Sequence, residues 1–254
     1  MRFGAPAACQ FEQRQAGDRT FRCKNGVRVQ PALFHPWDLS EQEAVALQTE
    51  LAKRVLVADR LPHRIQNVAG VDVAYADDAG RAFAAIAVIN LENKQLEQMV
   101  SAEERIRFPY FPGLLSFREL PALAAALEKL PSKPDLMICD GQGIAHPRRF
   151  GLACHLGVLY DVPTIGCAKT RLTGEAEVPG LARGSRAPLI CEGETVGAVL
   201  RTRDGVKPLY VSPGHRISIR TACDWILDLS WQYRIPEPIR MADQLVNKMK
   251  RESR

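Results

Sequence analysis

Three carboxylates stand where hydrolytic chemistry could use them. Asp72 lies in the middle of Val68-Ala-Gly-Val-Asp-Val-Ala-Tyr75. Strand alternation puts Val71, Val73 and Tyr75 on one face and Gly70, Asp72 and Ala74 on the other. A carboxylate flanked by the smallest residues of its own face has room beside it for an ion and a substrate; a solvated strand face is the plain alternative. Asp140 ends the apolar run Leu136-Met-Ile-Cys139 and precedes Gly141. The carboxyl end of a buried parallel strand is where open α/β sheets place their sites, although Asp-Gly also opens ordinary turns. Glu119 closes Ser116-Phe-Arg-Glu119, a capping-box pattern that would make it a helix cap. Pro121 would shift the helix start to Leu120, so either way Glu119 is expected at a helix N-terminus. Three acids on separate elements can hold two hard cations roughly 4 Å apart, which activate water and stabilise a leaving oxygen in phosphodiester hydrolysis. The five histidines are scattered and no C-x-x-C pair occurs, so zinc is not favoured.

Two loops could bring a nucleic acid to such a centre. In Pro109-Tyr-Phe-Pro-Gly113 two prolines stiffen the chain around adjacent aromatics. Both rings cannot easily enter the core. Phe111 is expected to be the buried corner and Tyr110 a wedge between bases. Gly141-Gln-Gly-Ile-Ala-His-Pro-Arg-Arg149 supplies backbone donors, His146, Arg148 and Arg149 next to Asp140, which suits phosphate binding. A plain glycine-rich connection is the alternative.

The elements that must position these residues follow from periodicity. Ser40 and Glu43 form a capping box, and Ala44, Leu47, Leu51, Val55 and Ala58 recur at helical spacing up to Pro62. Runs 68–76, 82–91 and 95–106, joined by the short turns 77–80 and 92–94, predict an antiparallel meander. A helix over 120–130, a buried strand over 136–139, a helix over 148–160 and a buried strand over 164–168 predict parallel pairing. Shorter strands are expected over 187–211 and helices over 216–230 and 237–252. The predicted fold is α/β, a mixed sheet flanked by helices in one domain over residues 34–254. Residues 1–33 show no apolar period and are expected to be a disordered basic extension.

Composition excludes little else. The formal net charge is +5, but residues 1–33 hold six basic and two acidic side chains, so most of the surplus lies there. A phosphate-binding surface must then come from local clusters, such as Lys169 with Arg171 or Arg216 with Arg220. No run of eighteen apolar residues occurs and no secretory leader is visible, which predicts a cytoplasmic protein with no membrane partner. Seven cysteines, mostly in apolar runs, are expected to be reduced thiols.

These stretches resemble endonuclease V. The likeness rests on Gly70-Val-Asp72, Pro109-Tyr-Phe-Pro-Gly-Leu-Leu-Ser-Phe-Arg-Glu119, Asp140-Gly-Gln-Gly-Ile-Ala-His-Pro-Arg-Arg149, Val162-Pro-Thr-Ile-Gly-Cys-Ala-Lys169 and Gly214-His-Arg216. It spans roughly residues 39–240, with Gln142 departing from the histidine common there. The resemblance implies a ribonuclease-H-like fold and a repair nuclease that nicks DNA at the second phosphodiester 3′ of deoxyinosine. It implies Mg2+, with Mn2+ as a substitute, on Asp72, Glu119 and Asp140. Lys169 and His215 would assist catalysis, and Tyr110, Phe111, Pro112, His146 and Arg148 would contact DNA. Gly113, Leu115, Gly141, Gly151 and Leu152 would line the base pocket. Inosine-containing RNA is the alternative substrate, and a non-catalytic nucleic-acid-binding module the alternative class. A monomer is expected.

Overall fold

The computed structural model describes residues 29–76 and 79–253. Strands β1 (Asn67–Ala76), β2 (Arg81–Asn90) and β3 (Gln95–Arg105) form the expected meander. Then follow α2 (Leu115–Leu127), β4 (Leu136–Cys139), α3 (Leu152–Tyr160) and β5 (Thr164–Ala168), after a first helix α1 (Glu41–Ala52). Strands β6 (Arg186–Cys191), β7 (Glu194–Leu200) and β8 (Leu209–His215) and helices α4 (Ile219–Leu229) and α5 (Glu237–Glu252) complete the chain. One eight-stranded sheet results, in the order β3-β2-β1-β4-β5-β8-β7-β6. Strands β1, β4 and β5 run parallel, as the strand–helix–strand alternation requires.

Both faces of the sheet are covered. Val71, Ile86, Met137 and Cys139 pack with Leu120, Leu123, Leu127 and Leu156, so α2 and α3 lie on one side. Ile138, Ile165 and Val211 pack with Ile226 and Ile239, so α4 and α5 lie on the other. Covering both faces of the sheet explains why β4 is an unbroken apolar run and why every residue of β4 and β5 is buried. The thiols of Cys139, Cys154, Cys167 and Cys223 are free and buried within these layers; Cys9 and Cys23 fall outside the described residues.

Some helix limits differ from expectation. Helix α1 stops at Ala52 rather than running on to Pro62, although its Ser40–Glu43 capping box is present. Helix α2 begins at Leu115, not Leu120, so Ser116 and Glu119 lie inside it and neither caps it. Buried partners outweigh the missing N–H of Pro121: Ser116 Oγ and His155 Nδ1 are 2.9 Å apart, and Phe117 enters the core. Helix α3 begins at Leu152, because residues 141–150 form an irregular, mostly buried loop.

The expected N-terminal extension reaches only partly into the described chain. Val29 is buried, Ala32 and Leu33 both donate to the Leu159 carbonyl, and His35 stacks on His155. Ordered packing therefore begins five residues before the expected boundary, at Val29; residues 1–28 lie outside the described chain. A chain starting at 37 should melt lower than one starting at 29. Losing the Val29 side chain alone removes about 1.5–3 kcal/mol of burial, worth roughly 5 °C for a domain of this size. Thermal melts of the two truncations check this.

Candidate active site

The small residues beside Asp72 are there for a helix. A Cβ on Gly70 would sit 2.1 Å from the backbone carbon of Pro238, so only glycine admits α5 this close to β1. Ala74 likewise packs with Ala242 and Leu245. The expected free space on this face is thus filled, and what fills it delivers a fourth acid, Asp243. Oxygen atoms of Asp72, Asp140 and Asp243 all lie within 4.8 Å of one another. Asp140 is fixed by its own backbone, its N–H donating to the Val71 carbonyl at 3.1 Å, which sets it beside β1 at the carboxyl end of β4.

Glu119 reaches the same end of the sheet from the other face. It belongs to α2, and its Oε1 accepts from the Tyr75 hydroxyl at 2.9 Å. It falls outside the three-aspartate group, although it is close enough to feel the charges of Asp72 and Asp140. The aspartate set is therefore Asp72, Asp140 and Asp243, with Glu119 across the sheet edge. Sequence periodicity hid Asp243 in an amphipathic helix. The available signal was its place in the stripe Ile239, Ala242, Asp243 and Val246, where helical spacing otherwise puts apolar residues.

The group holds more negative charge than its surroundings balance. Burial, then the charge of Asp140, pushes the Asp72 carboxyl up to about 7. Burial pushes Glu119 up to about 8, against the pull of the Tyr75 hydrogen bond. Lys169 already places a cation on two of the aspartates, its Nζ 2.6 Å from Asp140 and 3.4 Å from Asp243. Burial works against that ammonium, but the surrounding aspartates raise its proton affinity overall. An all-oxygen donor set with raised proton affinities fits a hard divalent cation.

A pH dependence follows. Raised carboxyls mean that the folded, metal-free protein holds more protons than the unfolded chain. This pair of groups therefore adds stability at acid pH and loses it as pH rises from about 4 through about 7 to 8. A bound cation needs the ionised forms, so its affinity runs the other way and weakens below about 7. Added magnesium should raise the melting temperature by several degrees at pH 8 and by much less at pH 5.5. Melts at both pH values, with and without the metal, check the sign.

Beside the carboxylates opens a cleft of about 480 Å³. Gly113, Leu115, Gly141, Gly151 and Leu152 all line it, together with Glu119, Asp140, His146 and Lys169. Arg171, expected in a basic cluster with Lys169, also lines it, as do Thr170 and Leu172, which the sequence did not single out. Tyr110 stands at its mouth, 64% exposed, while Phe111 turns inward against Phe108. Pro112 is exposed beside them. Phe111 is thus the half-buried ring and Tyr110 the exposed one.

Other expected site residues land elsewhere or serve otherwise. His215 pairs with Thr164 at the start of β5, whereas Lys169 follows its end. Five strand residues separate those ends by roughly 13 Å, so His215 sits at the far edge of the sheet from the aspartates. There it is buried, accepts from the Leu56 N–H and lies 3.6 Å from Asp161. Antiparallel β8 carries it away, which the Gly-His-Arg motif did not reveal. Arg148 is no free phosphate arm, because its guanidinium donates to Gln48 and to the Gly113 carbonyl. Arg149 likewise turns to Glu192, Glu194 and the Cys191 carbonyl. Burial pulls His146 down to about 4, so it lines the cleft as a neutral ring.

Residues 49–244 match the family model for endonuclease V. Endonuclease V of Trichormus variabilis is 50% identical over 213 residues, covering 84% of this chain and 96% of that protein. The crystal structure of endonuclease V from Streptomyces avermitilis is 47% identical with a TM-score of 0.81, covering 85% of this chain and 96% of that one. Endonuclease V of Ciona intestinalis, solved with a 24mer DNA containing an inosine followed by a ribo-adenosine, is 27% identical. Its TM-score is 0.73, over 84% of this chain and 98% of that one.

Proposed function

The chain belongs to the endonuclease V family, and from that premise we propose that it is a DNA repair endonuclease acting on deaminated bases, deoxyinosine foremost. The observation that carries this reading is the three-aspartate group lying against a cleft with an exposed tyrosine at its mouth. The cut would fall at the second phosphodiester 3′ of the lesion. Among the described residues no helix is long and apolar enough to cross a membrane.

Asp72, Asp140 and Asp243 would hold magnesium, with manganese as a substitute, and Glu119 would complete the set from the opposite face. When bound, magnesium supplies a more acidic water and neutralises charge on the leaving oxygen. The remaining work falls to the chain itself. Tyr110 would fill the gap left by the rotated base, which leaves a mispaired stack at low cost. Gly113, Leu115, Gly141, Gly151 and Leu152 would enclose that base. Lys169, held by Asp140 and Asp243, would keep a positive charge on the phosphate side. His146, neutral and bonded through its ring, would shape the wall and not pair with a phosphate.

Cleavage of matched DNA and RNA duplexes, each with and without one inosine, tests the reading in magnesium. A nick 3′ to inosine in DNA is expected. Cutting confined to the RNA duplex would turn the assignment to an inosine-specific ribonuclease. Binding without cutting on any duplex would overturn the nuclease reading.

A further inference from the structure

Of the three buried residues of α1, one is polar: Gln48, only 1% exposed. A buried amide costs free energy unless its hydrogen bonds are made, and these are made to informative partners. Its Nε2 donates to the Gly113 carbonyl at 2.9 Å and to the Phe150 carbonyl at 2.8 Å. Its Oε1 accepts from Arg148 Nε. Arg148 Nη2 donates to the same Gly113 carbonyl at 2.8 Å. His146 Nδ1 accepts the Arg148 N–H at 3.1 Å, and its Nε2 lies beside the same glycine. Two donors, one from α1 and one from the 141–150 loop, thus converge on one carbonyl.

That carbonyl ends the tyrosine loop. Gly113 sits at φ +79, and a side chain there would meet Arg148 Nη2 at 2.7 Å. Phe150 leads into the opposite wall of the cleft, formed by Gly151 and Leu152. The Gln48 amide therefore ties both walls to a helix that contributes no lining residue of its own. Moving Gly113 would break both of these hydrogen bonds to its carbonyl at once.

We propose that Gln48 and Arg148 form a clamp that sets the Tyr110 loop against the base pocket, and are positioning residues for discrimination of the damaged base. Neither side chain lines the cleft. The proposal rests on the reading of Tyr110 as a wedge and of the cleft as the base pocket. It also gives Arg148 a role that its neighbour-arginine motif concealed.

The test compares wild type, Gln48→Leu and Arg148→Met, each alone and combined with Tyr110→Ala. Affinities for inosine-containing and undamaged duplexes are measured in EDTA, manganese affinity by calorimetry without DNA, and folding by thermal melts. Either clamp variant should lose about tenfold in preference for the inosine duplex, with wild-type manganese affinity. In the Tyr110→Ala background neither should cause further loss, because the clamp acts through that loop. Preference retained in a folded Gln48→Leu protein would overturn the proposal. So would an equal additional loss in the Tyr110→Ala background, or a parallel fall in manganese affinity, which would mark general structural damage. Should Gln48→Leu fail to fold, Arg148→Met carries the same comparison. A wild-type protein with no preference for inosine would instead overturn the functional reading beneath the proposal.

Discussion

Asp140→Asn is expected to lower the cleavage rate by on the order of 10³-fold or more while leaving affinity for inosine-containing duplex near wild type. A site that loses one of its cation-binding carboxylates forfeits several kcal/mol of charge stabilisation in the transition state, and each 1.36 kcal/mol is tenfold in rate. Binding should survive because the proposed grip on the duplex is through the cleft walls and not through an acid that repels phosphate. The informative comparison runs across four positions. Asp72→Asn and Asp243→Asn should fall with Asp140→Asn, since these oxygens lie within 4.8 Å of one another. His215→Gln should cut at close to the wild-type rate, because that ring lies at the start of β5 and the aspartates at its end. Single-turnover rates in saturating magnesium, with affinities measured separately in EDTA, separate the two effects. An Asp243→Asn protein that cuts normally would remove α5 from the site. A His215→Gln protein that fails to cut, yet melts like wild type, would mean that the far edge of the sheet takes part.

The same positions show why the sequence disclosed some of this arrangement and not the rest. Asp72 and Asp140 were legible because strand period and strand ends are local properties. One marks the face of a residue, the other the edge of a sheet, and both survive folding unchanged. Asp243 was illegible because its importance is created by an approach between distant segments. Gly70 permits that approach and Pro238 makes it, and within α5 only the place of Asp243 in an otherwise apolar stripe hints at it. Glycine and alanine around Asp72 signalled closeness correctly, but closeness to a helix and not to a substrate. Glu119 was misplaced on its helix for a related reason. A capping box is a local rule, and here buried pairings with Tyr75 and, through Ser116, with His155 outweigh it.

Charged side chains were the least legible. Arg148, Arg149 and His146 sit in a run that looks made for phosphate, yet two of them are spent on internal carbonyls and carboxylates and the third is kept neutral by burial. Hydrogen-bond donors do not declare in sequence whether their acceptor is a ligand or the chain itself. The meander and the parallel centre of the sheet were foreseen because backbone geometry dictates them, whereas the cleft-lining glycines came only from the resemblance to endonuclease V.

Tyr110→Ala is expected to weaken discrimination more than chemistry. The ring is 64% exposed at the mouth of the cleft, and its neighbour Phe111 already supplies the packing that holds the loop. Truncating Tyr110 should therefore leave the melting temperature within a degree or so of wild type. The flipped state would lose the group that fills the vacated stack, about 1–3 kcal/mol for one aromatic–base contact. That corresponds to roughly a ten- to hundredfold drop in preference for inosine-containing over undamaged duplex. Tyr110→Phe should keep most of the preference, because the face of the ring does the filling and the hydroxyl is secondary. Phe111→Ala provides the contrast. Its ring packs against Phe108 in a cluster with Leu114 and Phe117, so its loss should lower the melting temperature first and discrimination only through the disturbed loop. Melts and relative affinities for the two duplexes on all three variants decide between wedge and corner. A folded Tyr110→Ala protein with unchanged preference would take the ring out of the mechanism, and the base would then have to be held by the cleft walls alone.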